Sequence, residues 1–283
     1  MTSTSVMPTF TFQDGPTIKR LGFGAMRLTG EGIWGEPKNP DEAKAVLRRV
    51  LELGINFIDT ADSYGPDVSE RLIGETLAPY PAGVVIATKG GMVRPGPNKW
   101  ETNGRPEHLR EALEGSLKRL KVETIDLYQF HRPDPNVPFE DSVGTIARMR
   151  EEGKIRMVGL SNVSVEQLEK AQQIVPIVSV QNRFNLTDRS SDDVLEACEQ
   201  KKIGFIPWAP IAANNLQQGV LNEIARRLNA TPNQVALAWL LRRSPVMLPI
   251  PGTSSVQHLE ENIQAADLQL SDDDVERLNS AQG

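Results

Sequence analysis

Along this chain, apolar positions fall into two alternating rhythms. A face repeating every three or four residues gives way, after a glycine or short turn, to a short continuous apolar run. Asn39–Leu53 shows the first rhythm, with Ala43, Val46, Leu47, Val50 and Leu51 on one helical face. Asn39 stands at a cap position, Pro40 suits the first helical residue, and Glu42 completes a capping-box spacing. Gly54 then predicts the stop, and Ile55–Ile58 a strand. The unit recurs. Helical faces at Glu70–Leu77, Pro106–Leu120, Phe139–Glu152, Ser164–Ile174 and Ser191–Lys202 precede apolar runs at Val84–Thr88, Ile125–Phe130, Ile155–Leu160, Ile177–Val180 and Ile203–Pro207. Ser164 with Gln167, and Thr231-Pro232 with Gln234, repeat the cap spacing.

With Leu21–Gly24 first and Val246–Ile250 last, eight strands are expected. Such alternation predicts a parallel sheet covered by helices, and eight units predict closure into an α/β (β/α)8 TIM barrel. Thr9–Phe12 and Thr17–Lys19, around Asp14-Gly15, predict a short N-terminal β-hairpin ahead of it. No linker or shift in composition divides the chain, so residues 1–283 read as a single barrel domain. A Rossmann sheet would need a third glycine in its first turn, whereas Gly22-Phe23-Gly24 runs on into Ala25-Met26-Arg27.

Composition narrows the function. The net charge is −6, and basic residues cluster only in pairs such as Arg242-Arg243, which argues against nucleic-acid or anionic-membrane partners. The single cysteine, Cys198, can form no internal disulfide, and the start lacks the pattern of a signal peptide, so a cytoplasmic protein is expected. No apolar stretch approaches the roughly 20 residues needed to span a bilayer. Three histidines without an H-x-H or H-E-x-x-H spacing give no reason to expect a metal.

A barrel builds its site at the C-terminal ends of its strands. Those ends carry Asp59, Lys89, His131, Ser161-Asn162, Gln181-Asn182, Trp208 and Pro251-Gly252-Thr253, with Tyr64 in the loop after Asp59. Singly, each has an ordinary reading as a cap, a solvated charge or a loop aromatic. Their recurrence at successive strand ends points to catalysis.

The motifs Ile58-Asp59-Thr60-Ala61-Asp62-Ser63-Tyr64-Gly65, Thr88-Lys89, Phe130-His131, Gly159-Leu160-Ser161-Asn162, Val180-Gln181-Asn182 and Ile250-Pro251-Gly252-Thr253-Ser254, in that order, resemble the aldo-keto reductase signature. The likeness runs from Leu21 to about Asn262. It implies an NADPH-dependent reduction of a small aldehyde or ketone by a tetrad of Asp59, Tyr64, Lys89 and His131. Tyr64 would donate the proton, with Lys89 lowering a tyrosine pKa that is ordinarily about 10. Asp59 would hold Lys89, and His131 would orient the carbonyl. The nicotinamide amide would rest on Ser161, Asn162 and Gln181, with Trp208 stacked on the ring, where many members carry tyrosine. Gly24, Ala25, Met26, Asp59 and Pro210 would line the same side. Thr253 and Ser254 open a helix suited to a phosphate, and Glu261 and Asn262 match adenine contacts.

Two positions depart from the family. Gly252 and His258 stand where basic residues are usual, so the hydroxyls, backbone amides and His258 are expected to serve the phosphate. NADH use stays open, and a lysine at 252 is expected to tighten NADPH. Expected substrate walls are Met26, Trp34, Trp100, Arg94 and the stretch Ala212 to Gln218. Leu21–Arg27 and Ile250–Glu261 resemble a bacterial branch containing pyridoxal reductases, which implies pyridoxal, with aromatic and short aliphatic aldehydes or ketones behind it, and a monomer or small homo-oligomer. The alternative that other relatives imply is an NADPH-binding regulatory subunit with negligible turnover.

Overall fold

The computed structural model describes residues 7–211 and 218–280. The hairpin forms as expected, with β1 (Thr9–Thr11) antiparallel to β2 (Thr17–Lys19) and Asp14 left-handed at its turn. The chain then alternates through β3 (Phe23–Gly24), α1 (Pro40–Glu52), β4 (Phe57–Asp59), α2 (Val68–Leu77) and β5 (Val85–Gly90). An antiparallel excursion, β6 (Met92–Gly96) with β7 (Lys99–Thr102), precedes α3 (Pro106–Leu120), β8 (Ile125–Phe130), α4 (Phe139–Glu151) and β9 (Ile155–Ser161). There follow α5 (Val165–Gln172), β10 (Ile177–Arg183), α6 (Asp192–Lys201) and β11 (Gly204–Trp208), then the helices α7 (Gln218–Arg227), α8 (Pro232–Arg243), α9 (Val256–Ile263) and α10 (Asp272–Ser280).

Seven strands form one parallel sheet in the order β3-β4-β5-β8-β9-β10-β11. The eighth, expected at Val246–Ile250, makes no regular ladder, because Pro249 and Pro251 have no N–H to give. Their carbonyls still accept, from Gly22 at 3.0 Å and Gly24 at 3.3 Å. On the other side Phe205 donates to Val246 O and Leu248 donates to Phe205 O, each at 2.8 Å. So residues 246–251 bridge both edges, and the TIM barrel closes.

The caps follow the sequence with one exception. Ser164 with Gln167 and Thr231 with Gln234 make reciprocal capping boxes. Asn39 accepts from Glu42 N, but the Glu42 carboxylate reaches instead to Val256 N, tying α1 to the start of α9. Gly54 takes φ +76 where α1 stops.

Apolar side chains divide between two cores. The larger lies between sheet and helices and includes Val46, Leu72, Leu113, Ile146, Leu168 and Trp239. The smaller fills the barrel: Phe57, Val85, Ala87, Leu127, Met157, Val178, Ile206, Leu248 and Ile250 meet there, with Phe12 and Ile18 plugging it from the hairpin. A strand alternates its faces with period two. The inward row therefore continues from Phe57 to Asp59, from Ala87 to Lys89, from Leu127 to Gln129 and His131, and from Ile206 to Trp208. On β10 the parity shifts at an irregularity between Ile177 and Ser179. Val178 points into the barrel core, Val180 packs outward, and Gln181 faces in. The barrel interior is thus apolar below and polar at the mouth.

The closing seam is tight. A Cβ at Gly252 would stand 2.7 Å from Gly24 O, and one at Gly24 would stand 2.6 Å from Ile250 O. This corrects the expectation that a lysine fits at 252. Gly252→Ala is expected to lower unfolding stability by about 1–3 kcal/mol through overpacking, read as a lower urea midpoint with unchanged m. An unchanged midpoint would show that the seam yields freely.

Candidate active site

Four elements bring the tetrad to one point. Lys89 ends the inward row of β5 and is wholly buried. Its Nζ donates to Asp59 Oδ1 at 2.6 Å, to Thr60 O at 2.8 Å and to Tyr64 OH at 3.3 Å, which uses all three ammonium protons. Asp59 Oδ2 accepts from Gln129 Nε2 at 3.0 Å and Gln181 Nε2 at 2.9 Å. Burial disfavours charge on Lys89, but Asp59 and Tyr64 outweigh it and hold the ammonium above its ordinary range.

Tyr64 corrects one expectation. Burial drives its phenol upward, and the pull of Lys89 only partly offsets this, so its pKa lies above the ordinary tyrosine value. It is therefore a protonated group at neutral pH. His131 is buried beside it, ring centres 6.0 Å apart edge to face. Burial, Lys89 and Arg132 together push the imidazole well below its usual range, so it is neutral. Its Nδ1 lies 3.4 Å from Ser63 Oγ, and no described residue bonds its Nε2.

A cleft of about 810 Å³ opens above these groups. Of the expected residues, Gly24, Met26, Asp59, Tyr64, Trp100, His131, Ser161, Asn162, Gln181, Trp208, Pro210 and Gly252 line it. Ala25 is buried behind the wall, and its carbonyl accepts from Ser69 Oγ. Thr253, Ser254, His258, Glu261 and Asn262 run on from Gly252 into α9, outside the lining. The stretch 212–217 and the side chain of Gln218 lie outside the described residues.

The three residues expected to hold the nicotinamide amide divide their work. Asn162, left-handed at φ +59, spends its Nδ2 on His131 O and Ser161 Oγ, and its Oδ1 accepts from Trp208 Nε1 at 3.1 Å. It braces its neighbours. Ser161 keeps a hydroxyl proton and Gln181 an Oε1 to which no described residue binds, so one donor and one acceptor face the cleft beside the indole of Trp208. That pair matches a primary carboxamide.

Trp34 and Arg94 do not line the cleft. Arg94 lies behind Trp100, its guanidinium 3.7 Å from the Trp100 ring centre and 5.9 Å from that of Trp34. It donates to Lys99 O, Ile33 O, Ser63 O and Gly32 O at 2.7 to 3.1 Å. One side chain thus pins the β6–β7 hairpin, the 32–34 loop and the Tyr64 loop together. Trp100 is thereby set edge-on to Tyr64 and His131, at 6.3 and 6.4 Å.

The sequence reading missed Gln129, Arg27, Met92 and Arg132. The inward parity of β8 was the available signal for Gln129; the other three stand on the first loop, the unexpected hairpin and the loop after β8, where no periodicity marks them.

The aldo/keto reductase family model matches residues 20–282. The chain belongs to the aldo/keto reductase family. The reductase is 54% identical over 264 residues to an uncharacterized oxidoreductase of Schizosaccharomyces pombe, covering 93% of this chain and 86% of that one. It is 40% identical over 270 residues to pyridoxine 4-dehydrogenase of Escherichia coli, covering 93% and 94%. Its fold superposes with TM-score 0.82 on an aldo/keto reductase from Klebsiella pneumoniae solved with NADP and acetate, at 26% identity over 97% of this chain and 95% of that one. Membership makes the reductase an NAD(P)H-dependent oxidoreductase.

Two outcomes test this geometry. Asp62 is buried with one oxygen unpartnered, and burial together with Glu70 raises its pKa well above the ordinary value of 3.8. The folded state then holds a proton that the unfolded chain releases, so this residue costs stability as pH rises from about 4 through the raised value. Asp62→Asn should accordingly gain stability relative to wild type between pH 5 and pH 8 in urea melts; an identical difference at both pH values would refute the assignment. Arg94→Ala should lower kcat/KM for carbonyl reduction by about ten- to a hundredfold through a misplaced Trp100, and leave NADPH affinity unchanged. Arg94→Lys should not restore it, since an ammonium lacks the guanidinium fork.

Proposed function

We propose that the reductase transfers hydride from NADPH to an aldehyde on a flat aromatic ring, of which pyridoxal is the leading candidate, with Tyr64 as the general acid. The observation that carries this reading is the buried chain Asp59–Lys89–Tyr64, 2.6 and 3.3 Å per link, ending at a cleft beside a neutral imidazole. NADP in the Klebsiella pneumoniae structure and the activity named for the Escherichia coli relative support the cofactor and the substrate class.

The cleft suits the cofactor's reactive end. Ser161 donates to and Gln181 accepts from a carboxamide, while Trp208, fixed by Asn162, offers a ring face. When bound, the nicotinamide supplies the hydride. The protein's part is to hold the carbonyl and deliver the proton. His131, neutral, donates through Nε2 to the carbonyl oxygen and sets its direction. Tyr64 delivers its proton to the same oxygen as charge develops there. Lys89 already bonds the phenol oxygen, so the tyrosinate left behind is stabilised at once. Asp59 keeps Lys89 charged and aimed, and Trp100 and Met26 provide flat and adaptable walls for an aromatic ring.

Tyr64→Phe should bind NADPH with unchanged affinity and lose reduction of pyridoxal and nitrobenzaldehyde by about a hundredfold or more, followed as NADPH absorbance. Reduction at the wild-type rate in that variant would remove Tyr64 as the acid. Tight NADPH binding by the wild type with no turnover on any carbonyl would favour the regulatory reading.

A further inference from the structure

The cleft does not end at Trp100. A second chamber of about 700 Å³ opens beside it, and Trp100, Thr102, Arg132 and Asn162 line both. Trp100 marks the boundary. Its ring stands edge-on to Tyr64 and His131, at 6.3 and 6.4 Å, and also walls the outer chamber. A carbonyl seated at Tyr64 and His131, with its ring along Trp100, therefore points its far end toward the outer chamber.

Arg132 stands at that boundary, directly after His131. It is exposed, and it has no hydrogen bond or ion pair with any described residue. The acidic residues nearby do not engage it. Asp134, two positions on, accepts from the backbone N–H groups of Gly104 and Asn136, each at 2.9 Å. Glu101 lines the outer chamber but not the cleft, and makes no ion pair with Arg132. The other two arginines of the site are placed differently: Arg27 lines the cleft alone, and Arg94 is spent on four carbonyls. Across the outer chamber, Gln167 gives its Oε1 to Ser164 N and keeps an Nε2 to which no described residue is bonded. The uncommitted groups are thus a guanidinium and an amide donor. A guanidinium is always charged at working pH and forks onto carboxylate and phosphate oxygens alike.

We infer that the outer chamber selects aldehydes carrying an anionic group, a carboxylate or a phosphate monoester, on the far end of the ring, and that Arg132 binds that group. This rests on the reductase reading above and adds to it the charge of the substrate.

The test compares matched pairs of aldehydes at saturating NADPH. 4-Formylbenzoate is set against its methyl ester, and 4-formylphenyl phosphate against 4-methoxybenzaldehyde. The readout is the ratio of kcat/KM, anionic over neutral, in which any general loss of activity cancels. Loss of one charge-assisted contact should lower that ratio about tenfold in Arg132→Ala. Arg132→Glu should lower it further, and Arg132→Lys should restore part of it. Added salt should lower the ratio in wild type and not in Arg132→Ala, because the guanidinium is exposed. A fall in one pair alone supports the inference and names the anion. An unchanged ratio in Arg132→Ala for both pairs would overturn it. So would an equal fall in Arg27→Ala, which would reduce the effect to the summed field of the cleft. Failure of the wild type to reduce either neutral aldehyde would strike the reductase reading itself, and is told apart by that.

Discussion

The buried ion pair between Asp59 and Lys89 is the constraint on which the site depends. Removing two such charges from water costs several kcal/mol per ion, and the pair is tolerable only where every remaining bond is met. It is met here: three acceptors surround the ammonium, and Oδ2 of Asp59 takes two glutamine donors. Each partner comes from a different strand or from the loop after β4, so the pair is also what registers β4, β5, β8 and β10 against one another at the mouth. Tyr64 OH is one of the three acceptors. The Tyr64 phenol is therefore placed by the same bonds that make the buried charge tolerable, and its alignment with Lys89 comes with the fold.

Much of this is legible in the sequence, for a physical reason. The inward row of a barrel strand has period two, so a polar residue two positions beyond a buried apolar one must face the mouth. Asp59 beyond Phe57 and Lys89 beyond Ala87 are found that way, as are His131 and Trp208. Gln181 defeats the rule: the irregularity at Ile177 and Ser179 changes parity within β10, and a backbone bulge leaves no reliable mark in side-chain pattern. Gln129 obeys the rule yet went unnoticed because it ties charges together within the wall and is not a conspicuous reactive group.

What stands on loops is less legible. The β6–β7 hairpin contains no Asn-Gly or Asp-Gly turn, and its role appears only when Arg94 is seen bonding four carbonyls drawn from three segments. Three of those bonds are long-range, set by tertiary placement and invisible to local pattern. The same holds for Trp34, which reads as a pocket aromatic but spends its ring on the far side of the Arg94 guanidinium. The placement of Asp59, Lys89 and His131 is thus a property of strand periodicity, while the setting of Trp100 in the cleft wall is a property of how one guanidinium gathers loops.

The seam between the first and eighth strands shows how closing the barrel limits its chemistry. Two prolines leave the eighth segment with few donors, so on this side the seam is held by Gly22 and Gly24 donating to the Pro249 and Pro251 carbonyls, with the Gly24 and Gly252 backbones side by side. Close approach excludes Cβ atoms at 24 and 252, and with them any side chain reaching from these positions over the cofactor side of the cleft. Glycine at 252 thus matches the close packing of this particular seam, where a Cβ would stand 2.7 Å from Gly24 O and one of the two backbones would have to shift.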